Sequence, residues 1–469
     1  MIFSSYPFLF LYLPIVLLGY HLLRHIRRSV ALKVFLVAAS LVFYGLGQPD
    51  YLFMFVLSMV LNYVMVWGIA KSGRKAVRVL LLLAAVVWNI GLLVYFKYTN
   101  FLLEIADLVF GTHLGAISVI LPIGISFYTF QILSYTIDLF RGETELAAPL
   151  DYALFISFFP QLIVGPVVRH NELIPQLAGD KLLRFDPVNV YRGMFLFSVG
   201  CAKKILLANP LINFATAFYG GNVAAASTVE AWAGVLAFTF AYYFDFSGYI
   251  DMARGLGYLF GIRLPINFDS PYKARDFADF WRRWNMTISR FFNETVFANL
   301  FHFGDRIPKL IFATLATFAV SGLWHGADWH FIAWGLVNGV LVCIANIGTL
   351  KRVKLPKALG VMVTFFLSVL VRVLFDANGM TQAMLVYRRL FSLSGWRSIL
   401  PSLSAFLSAN WGIVLLLAVC AVICFALPNS NRIGEKEQFR ARDVVVSAVL
   451  LMLSVFNMSQ VSTFLYFNF

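Results

Sequence analysis

Apolar residues in this chain gather into long runs, and the polar positions fall mostly at the ends of those runs. A helix that crosses a bilayer needs about 20 largely apolar residues. Runs of this kind lie at 5–22, 30–47, 51–70, 77–96, 116–139, 188–208, 229–260, 309–323, 330–349, 358–375, 409–427 and 443–463. They predict an all-α integral membrane protein, a bundle of about 11–12 transmembrane helices. The run 150–168 differs, because Pro160 and Pro166 stand around Gly165. Proline removes a helix donor and clashes with the preceding turn. A re-entrant element is expected there, since irregular backbone at membrane depth must be shielded by protein or line a cavity. The run 229–260 exceeds one span and carries polar residues, so a tilt or break is expected. The segment 376–402, with Arg388, Arg389 and Arg397 among apolar residues, reads as an amphipathic surface helix. Stretches 169–187 and 428–442 read as loops or short interfacial helices. There is no internal repeat, and residues 1–469 are read as a single transmembrane domain.

Composition agrees with this pattern. The 469 residues are 60% hydrophobic and 13% charged, with mean hydropathy +0.80; a soluble domain is about half apolar and about a quarter charged. The first run has no basic residues before it and no small-residue cleavage site after it, so it reads as a spanning or half-buried helix rather than a cleavable signal. The net charge of +14 is explained by basic cytoplasmic loops, and no nucleic-acid partner is expected. Arg24, Arg27, Arg28 and Lys33 follow the first run, and Lys71, Arg74, Lys75 and Arg78 follow the third. Counting alternately, both clusters share one face, joined by 351–357 and 432–442. The positive-inside rule makes that face cytoplasmic. The amino terminus, the "GQPD" turn at 47–50 and the terminal "YFNF" then face outward. The four cysteines, Cys201, Cys343, Cys420 and Cys424, lie in or beside apolar runs and match no zinc spacing.

Ionisable groups inside a membrane are costly and usually serve function. Three constellations qualify. His325 sits in "LWHGADWHF", where Gly322 and Gly326 allow a tight backbone and Trp324 and Trp329 can wall a pocket. A neutral imidazole there can take a proton from a hydroxyl; the alternative is a structural histidine bonded to a carbonyl. Asn285 sits in "FADFWRRWNMTISRFF" beside Trp281, Arg282, Arg283 and Trp284. An amide can orient a histidine or donate to an oxyanion. Alternatively the stretch is an interfacial helix, with Asp276, Asp279, Arg282 and Arg283 pairing along it and tryptophans as belt residues. In "YYFDFSGYIDMARGLG", Asp251 and Arg254 are one turn apart and can pair, whereas Asp245 has no partner nearby in sequence. No metal site is expected. His21 and His25 have the i, i+4 spacing of a metal pair, but Arg24, Arg27 and Arg28 surround them, and a solvated face explains them better. There is no Gly-x-Ser-x-Gly elbow, P-loop or His-Glu-x-x-His motif.

Several of these stretches together resemble the membrane-bound O-acyltransferase family, in its bacterial polysaccharide O-acetyltransferase branch. The resemblance is carried by "MIFSSYPFLFLYLPIV", "LPIGISFYTFQILSYTIDLFRGE", "FFPQLIVGPVVR", "YFDFSGYIDMARGLG", "NFDSPYKARDFADFWRRWNMTIS", "SGLWHGADWHFIAWG" and "FLYFNF". It spans nearly the whole chain, with the core signature region at about 116–350. It implies a rim of helices around a thin centre, where re-entrant elements help an acyl-donor tunnel from the cytoplasm meet an outward funnel. The family's catalytic histidine falls on His325, and its second signature position on Asn285. Tunnel or substrate-lining positions are expected at Trp324, Trp281, Trp284, Arg282, Asp245, Ser247, Tyr249, Gln131 and Pro166. The resemblance also implies acetyl-CoA as donor with no permanently bound cofactor, a bacterial inner membrane, and an extracytoplasmic glycan acceptor. Because these residues contain no SGNH-type acetyltransferase, a separate periplasmic or extracellular partner of that type is expected. Relatives of the alginate enzyme carry His at the Asn285 position and a Gly-Gly-Asn-Arg loop soon after. Here that interval reads "ETVFANLFHFGDRIPK", which puts the acceptor in question more than the chemistry. D-alanyl transfer in teichoic acid modification is the near alternative. A transporter or scaffold is the distant one, against which stands the lack of inverted symmetry.

Overall fold

The computed structural model describes residues 2–302, 304–351, 355–436 and 438–458. The terminal "FLYFNF", with "YFNF" inside it, and Arg352 and Lys354 of the basic 351–357 loop lie outside the described residues. Among the described residues the regular structure is helical. The principal helices are α1 (Phe8–His25), α2 (Ser29–Gly47), α3 (Pro49–Lys71), α4 (Lys75–Phe110), α5 (Ile125–Arg141), α6 (Pro149–Ser157), α7 (His170–Leu177), α8 (Pro187–Gly220), α9 (Thr228–Leu259), α10 (Phe277–Trp281), α11 (Met286–Phe292), α12 (Ile307–His325), α13 (Trp329–Leu350), α14 (Lys357–Asp376), α15 (Gly379–Leu390), α16 (Ile399–Phe425) and α17 (Ala441–Phe456). Nine of them, α1 to α4, α8, α12 to α14 and α16, are long and apolar enough to cross a membrane. The three other expected spans are also helices. Of these, α5 and α17 are shorter, and α9 carries Asp245, Asp251 and Arg254.

Four expectations need correction. The run 116–139 is not helical at its start: residues 112–124 are irregular and largely exposed. Gly111, Gly115 and Gly124 have positive φ and Pro122 interrupts the run. Side chains satisfy this backbone instead: Asn100 bonds Ile117 through both N–H and C=O, Asp107 accepts from the Leu114 N–H, and Gln48 donates to the Leu121 carbonyl and accepts from the Ile123 N–H. Second, α9 is one unbroken helix. Its polar residues from Thr239 to Arg254 are buried, so protein rather than lipid surrounds them and the helix need not break. Third, 376–402 is divided among α15, a short turn at Leu393–Arg397 and the start of α16. Fourth, the opening of α16 precedes the expected 409–427, with non-helical dihedrals at Asn410. At 150–168 the expected interruption is present: α6 ends at Ser157, one helical turn follows at Phe159–Leu162, and the backbone is irregular onward.

The chain divides into two compact units. The first comprises Met1–Gly200, Tyr249–Pro265 and Glu437–Met458. Its core holds a ring cluster in which Phe3 stacks on Tyr249 at 4.8 Å and Phe43 meets Phe159 at 5.4 Å. Gly193 of α8 and Gly255 of α9 cross so closely that a Cβ on either would lie 2.7–2.8 Å from the other's carbonyl oxygen; small residues permit such approaches. Lys33 and Asp151 pair at 2.5 Å. The second unit comprises Cys201–Gly248 and Ile266–Lys436. It contains α10 to α16 and, with them, both signature positions.

Candidate active site

In the second unit α12 and α13 form a tight hairpin. Gly322 and Gly335 face each other at the crossing: a Cβ on Gly322 would strike the Phe331 carbonyl, and one on Gly335 the Phe318 carbonyl. The turn between the helices carries Gly326 in extended conformation, where a Cβ would collide with the Phe331 ring. Asp328 caps α13, accepting from the His330 N–H at 3.1 Å. This close turn sets His325 as the last residue of α12 and buries it, 7% exposed.

Three rings enclose the His325 imidazole. Trp324 lies at 4.5 Å between centroids, Trp334 at 4.9 Å edge-on, and Phe375 of α14 at 5.0 Å edge-on. Trp329, expected as a wall, is 49% exposed. Trp334, further along α13, takes that place, because the helix begins at Trp329 and turns that side chain outward.

The stretch 277–292 is not one interfacial helix. It breaks at Asn285, which adopts φ 43°, ψ 54°, a left-handed conformation that asparagine tolerates better than most residues. Asn267 holds the break. Its Nδ2 donates to Asn285 Oδ1 at 3.0 Å, its Oδ1 accepts from the Thr287 N–H at 2.9 Å and hydroxyl at 3.0 Å, and its carbonyl accepts from Met286 N–H at 3.0 Å. Asn285 is 3% exposed. The charged pairing expected along this stretch is present: Arg283 Nε donates to Asp279 Oδ1 at 2.9 Å, and Asp276 caps the Asp279 N–H at 2.7 Å.

Residues on either side of Asn285 reach the rings that enclose His325. Trp281 meets Trp334 at 5.8 Å, and Phe292 meets Trp324 at 5.7 Å. Aromatic residues that flank Asn285 in sequence therefore touch two of the rings around His325. A small cavity of about 30 Å³, open at one side, lies against this layer. Trp281, Trp284 and Trp334 line it with Asn338, Ser368 and Arg372. Trp281 Nε1 donates to Asn338 Oδ1 at 3.3 Å.

The other expected lining residues have varied positions. Arg282 stands outside this arrangement, its side chain 69% exposed. Asp245 is buried against Lys204 at 2.5 Å, and Ser247 is buried in the same unit. Tyr249, Gln131 and Pro166 are buried in the first unit, where Gln131 Nε2 donates to the Val168 carbonyl at 3.4 Å. Asp251 and Arg254 are buried there too, and Arg254 Nε donates to Leu264 O at 3.4 Å. His25, Arg27 and Arg28 are exposed. Among the described residues no group of three or more His, Cys, Asp or Glu gathers as a metal site requires.

Sequence reasoning missed Asn267, Trp334, Asn338, Arg372 and Phe375. Two signals were available: Asn338 within an otherwise apolar span, and Arg372 with Asp376 at i, i+4 in another.

A buried imidazole at a helix end, ringed by aromatics and beside a cavity, fits a proton-transferring centre. Residues 50–357 match the membrane-bound O-acyltransferase family. The chain belongs to that family. It is an acyltransferase and a multi-pass membrane protein. Over its whole length it is 34% identical to a peptidoglycan O-acetyltransferase of Helicobacter pylori, of which it covers 98%. It is 35% identical to a probable alginate O-acetylase of Pseudomonas aeruginosa, over 85% of this chain and 76% of that one. With a teichoic acid D-alanyltransferase of Streptococcus thermophilus it shares 28% identity over 63% of its length and 82% of that protein's.

Proposed function

We propose that this acyltransferase moves an acetyl group from cytoplasmic acetyl-CoA toward hydroxyls of an extracytoplasmic polysaccharide or peptidoglycan. It does so from a bacterial inner membrane, amino terminus outward, with a separate SGNH-type acetyltransferase completing delivery. The observation that carries the reading is the enclosure of His325 by Trp324, Trp334 and Phe375, with a cavity that Trp334 also lines. The relatives that match most of the chain are named for O-acetylation, whereas the D-alanyltransferase match covers 63% of it; acetyl is therefore favoured over D-alanyl.

In the transfer step His325 accepts the proton of the attacking hydroxyl as its oxygen bonds to the thioester carbonyl carbon. The carbonyl electron pair moves onto oxygen. When it returns, the carbon–sulfur bond breaks and the proton on His325 passes to the leaving thiolate. Asn285, held by Asn267, positions the reacting groups or steadies the oxyanion, a role whose loss typically costs on the order of 100-fold in rate.

Mass analysis of surface glycans tests the assignment. Cells whose only copy is His325→Ala are expected to lose the acetyl groups while membrane protein levels stay unchanged. Wild-type acetylation in those cells would overturn it.

A further inference from the structure

The cavity beside Trp334 contains a cation that the transfer step leaves unused. Arg372, near the end of α14, is 9% exposed and is the only charged residue lining the cavity among the described residues. Its Nη2 lies 2.7 Å from Asp376 Oδ1, one turn along the helix. The guanidinium carbon lies 3.4 Å from the Tyr242 ring centroid and 4.4 Å from that of Phe375. Its Nε is buried without a hydrogen-bond partner among the described residues. The Asp376 side chain is 0% exposed and does not line the cavity. A ligand in the cavity therefore meets the guanidinium, not the carboxylate behind it. Phe375, which bears on Arg372, also touches His325.

An arginine has five N–H donors and no acceptor, so it hydrogen-bonds only to a group that presents a lone pair, such as a thioester carbonyl oxygen. The remaining walls are mostly aromatic, the indoles with Tyr272, Phe277 and Phe280, and their polar side chains include Thr239, Asn338 and Ser368 but no second charge, which suits a short neutral group. A second cation brought beside a buried guanidinium is repelled far more strongly than in water, because the surrounding rings screen charge poorly. Asp376 balances the charge of Arg372 within the fold, yet lies on the side away from the ligand.

We propose that Arg372 determines acyl specificity in this cavity: it donates to the carbonyl oxygen of a short neutral acyl group and rejects acyl groups that carry an ammonium, such as aminoacyl groups. This rests on reading the cavity as the seat of the acyl thioester beside His325.

Propionyl-CoA and glycyl-CoA separate the possibilities, because they differ by a methyl group against an ammonium of similar size. Each is used to displace radiolabelled acetyl-CoA from the full-length protein in nanodiscs. With the wild type, glycyl-CoA is expected to compete on the order of tenfold more weakly or worse. The double variant Arg372→Met/Asp376→Asn removes both charges together, so that neither is left buried alone. In it the gap is expected to fall within about twofold while propionyl-CoA binds less tightly. Arg372→Lys keeps the charge without the planar fork, and is expected to keep the rejection of glycyl-CoA while weakening propionyl-CoA. Equal competition by the two thioesters at the wild type overturns the proposal, and so does an unchanged gap in the double variant. If acetyl-CoA shows no saturable binding at all, the donor reading falls as well; if binding is intact and discrimination is missing, only the role of Arg372 falls.

Discussion

Asn285 has two separable contributions, one from its backbone and one from its amide. The backbone sits at φ 43°, where an alanine costs about 1–3 kcal/mol and a glycine costs nothing sterically. Asn285→Ala is expected to lower both the unfolding temperature and transfer, whereas Asn285→Gly spares the backbone and loses only the amide. If the amide serves transfer, both variants lose on the order of 100-fold in rate. Full acetylation by Asn285→Gly would show that the residue matters only as a turn. Asp245 is the opposite case, a buried charge that looked alone along the sequence. Its partner Lys204, in the irregular helical turn Lys203–Ala208 of α8, has a side chain only 3% exposed. Removing one member of a buried pair costs about 3–5 kcal/mol, and replacing both with apolar residues is often neutral. Thermal unfolding in detergent is expected to show Asp245→Leu and Lys204→Met each strongly destabilised and the double variant largely recovered. Equal loss in all three would mean that the two charges do not depend on each other.

The α12–α13 hairpin sets the position of His325 through glycine. With Gly322 and Gly335 backbone to backbone, no side chain fits between the helices, and the turn that ends α12 is fixed by their separation. Overpacking a well-packed contact typically costs about 1–3 kcal/mol, and here the obstacle is rigid backbone. Gly335→Val is therefore expected to depress the unfolding temperature and to abolish transfer, although it touches neither His325 nor the cavity. An unchanged melting curve would refute the close crossing as the support of the site. This element was legible as two apolar runs, but not its internal contact, because glycines in a span equally suit a kink, a bulge or a crossing. The same limit applies at 277–292. Its charges paired as their spacing suggested, yet the break at Asn285 depends on Asn267, eighteen residues earlier and outside that stretch.

For the molecule as a whole, the proposed topology rests on the distribution of Lys and Arg, with the face of 24–33 and 71–78 toward the cytoplasm. All four cysteines, Cys201, Cys343, Cys420 and Cys424, are buried, so an introduced surface cysteine reports its side without interference. Asp50→Cys is expected to react with a membrane-impermeant maleimide in intact spheroplasts. Gly73→Cys, at an exposed position in the loop after α3, is expected to react only after permeabilisation. The reverse pattern would put the amino terminus inside and invert the proposed path from donor to acceptor.

Hydropathy, charge placement and motif order were enough to establish a multi-helix membrane protein of this family and to single out His325 and Asn285. Those properties are local, since each residue contributes its own transfer free energy and the runs simply add. The partners were not local. Trp334 and Phe375 around His325, Asn267 beneath Asn285, Lys204 against Asp245 and Arg372 in the cavity come from segments other than the one each partner lies on. An apolar helix face looks the same along the chain whether it meets lipid or another helix, so the hydrophobic pattern does not say which faces meet. Packing in three dimensions makes that choice, and with it the surroundings of every buried polar group.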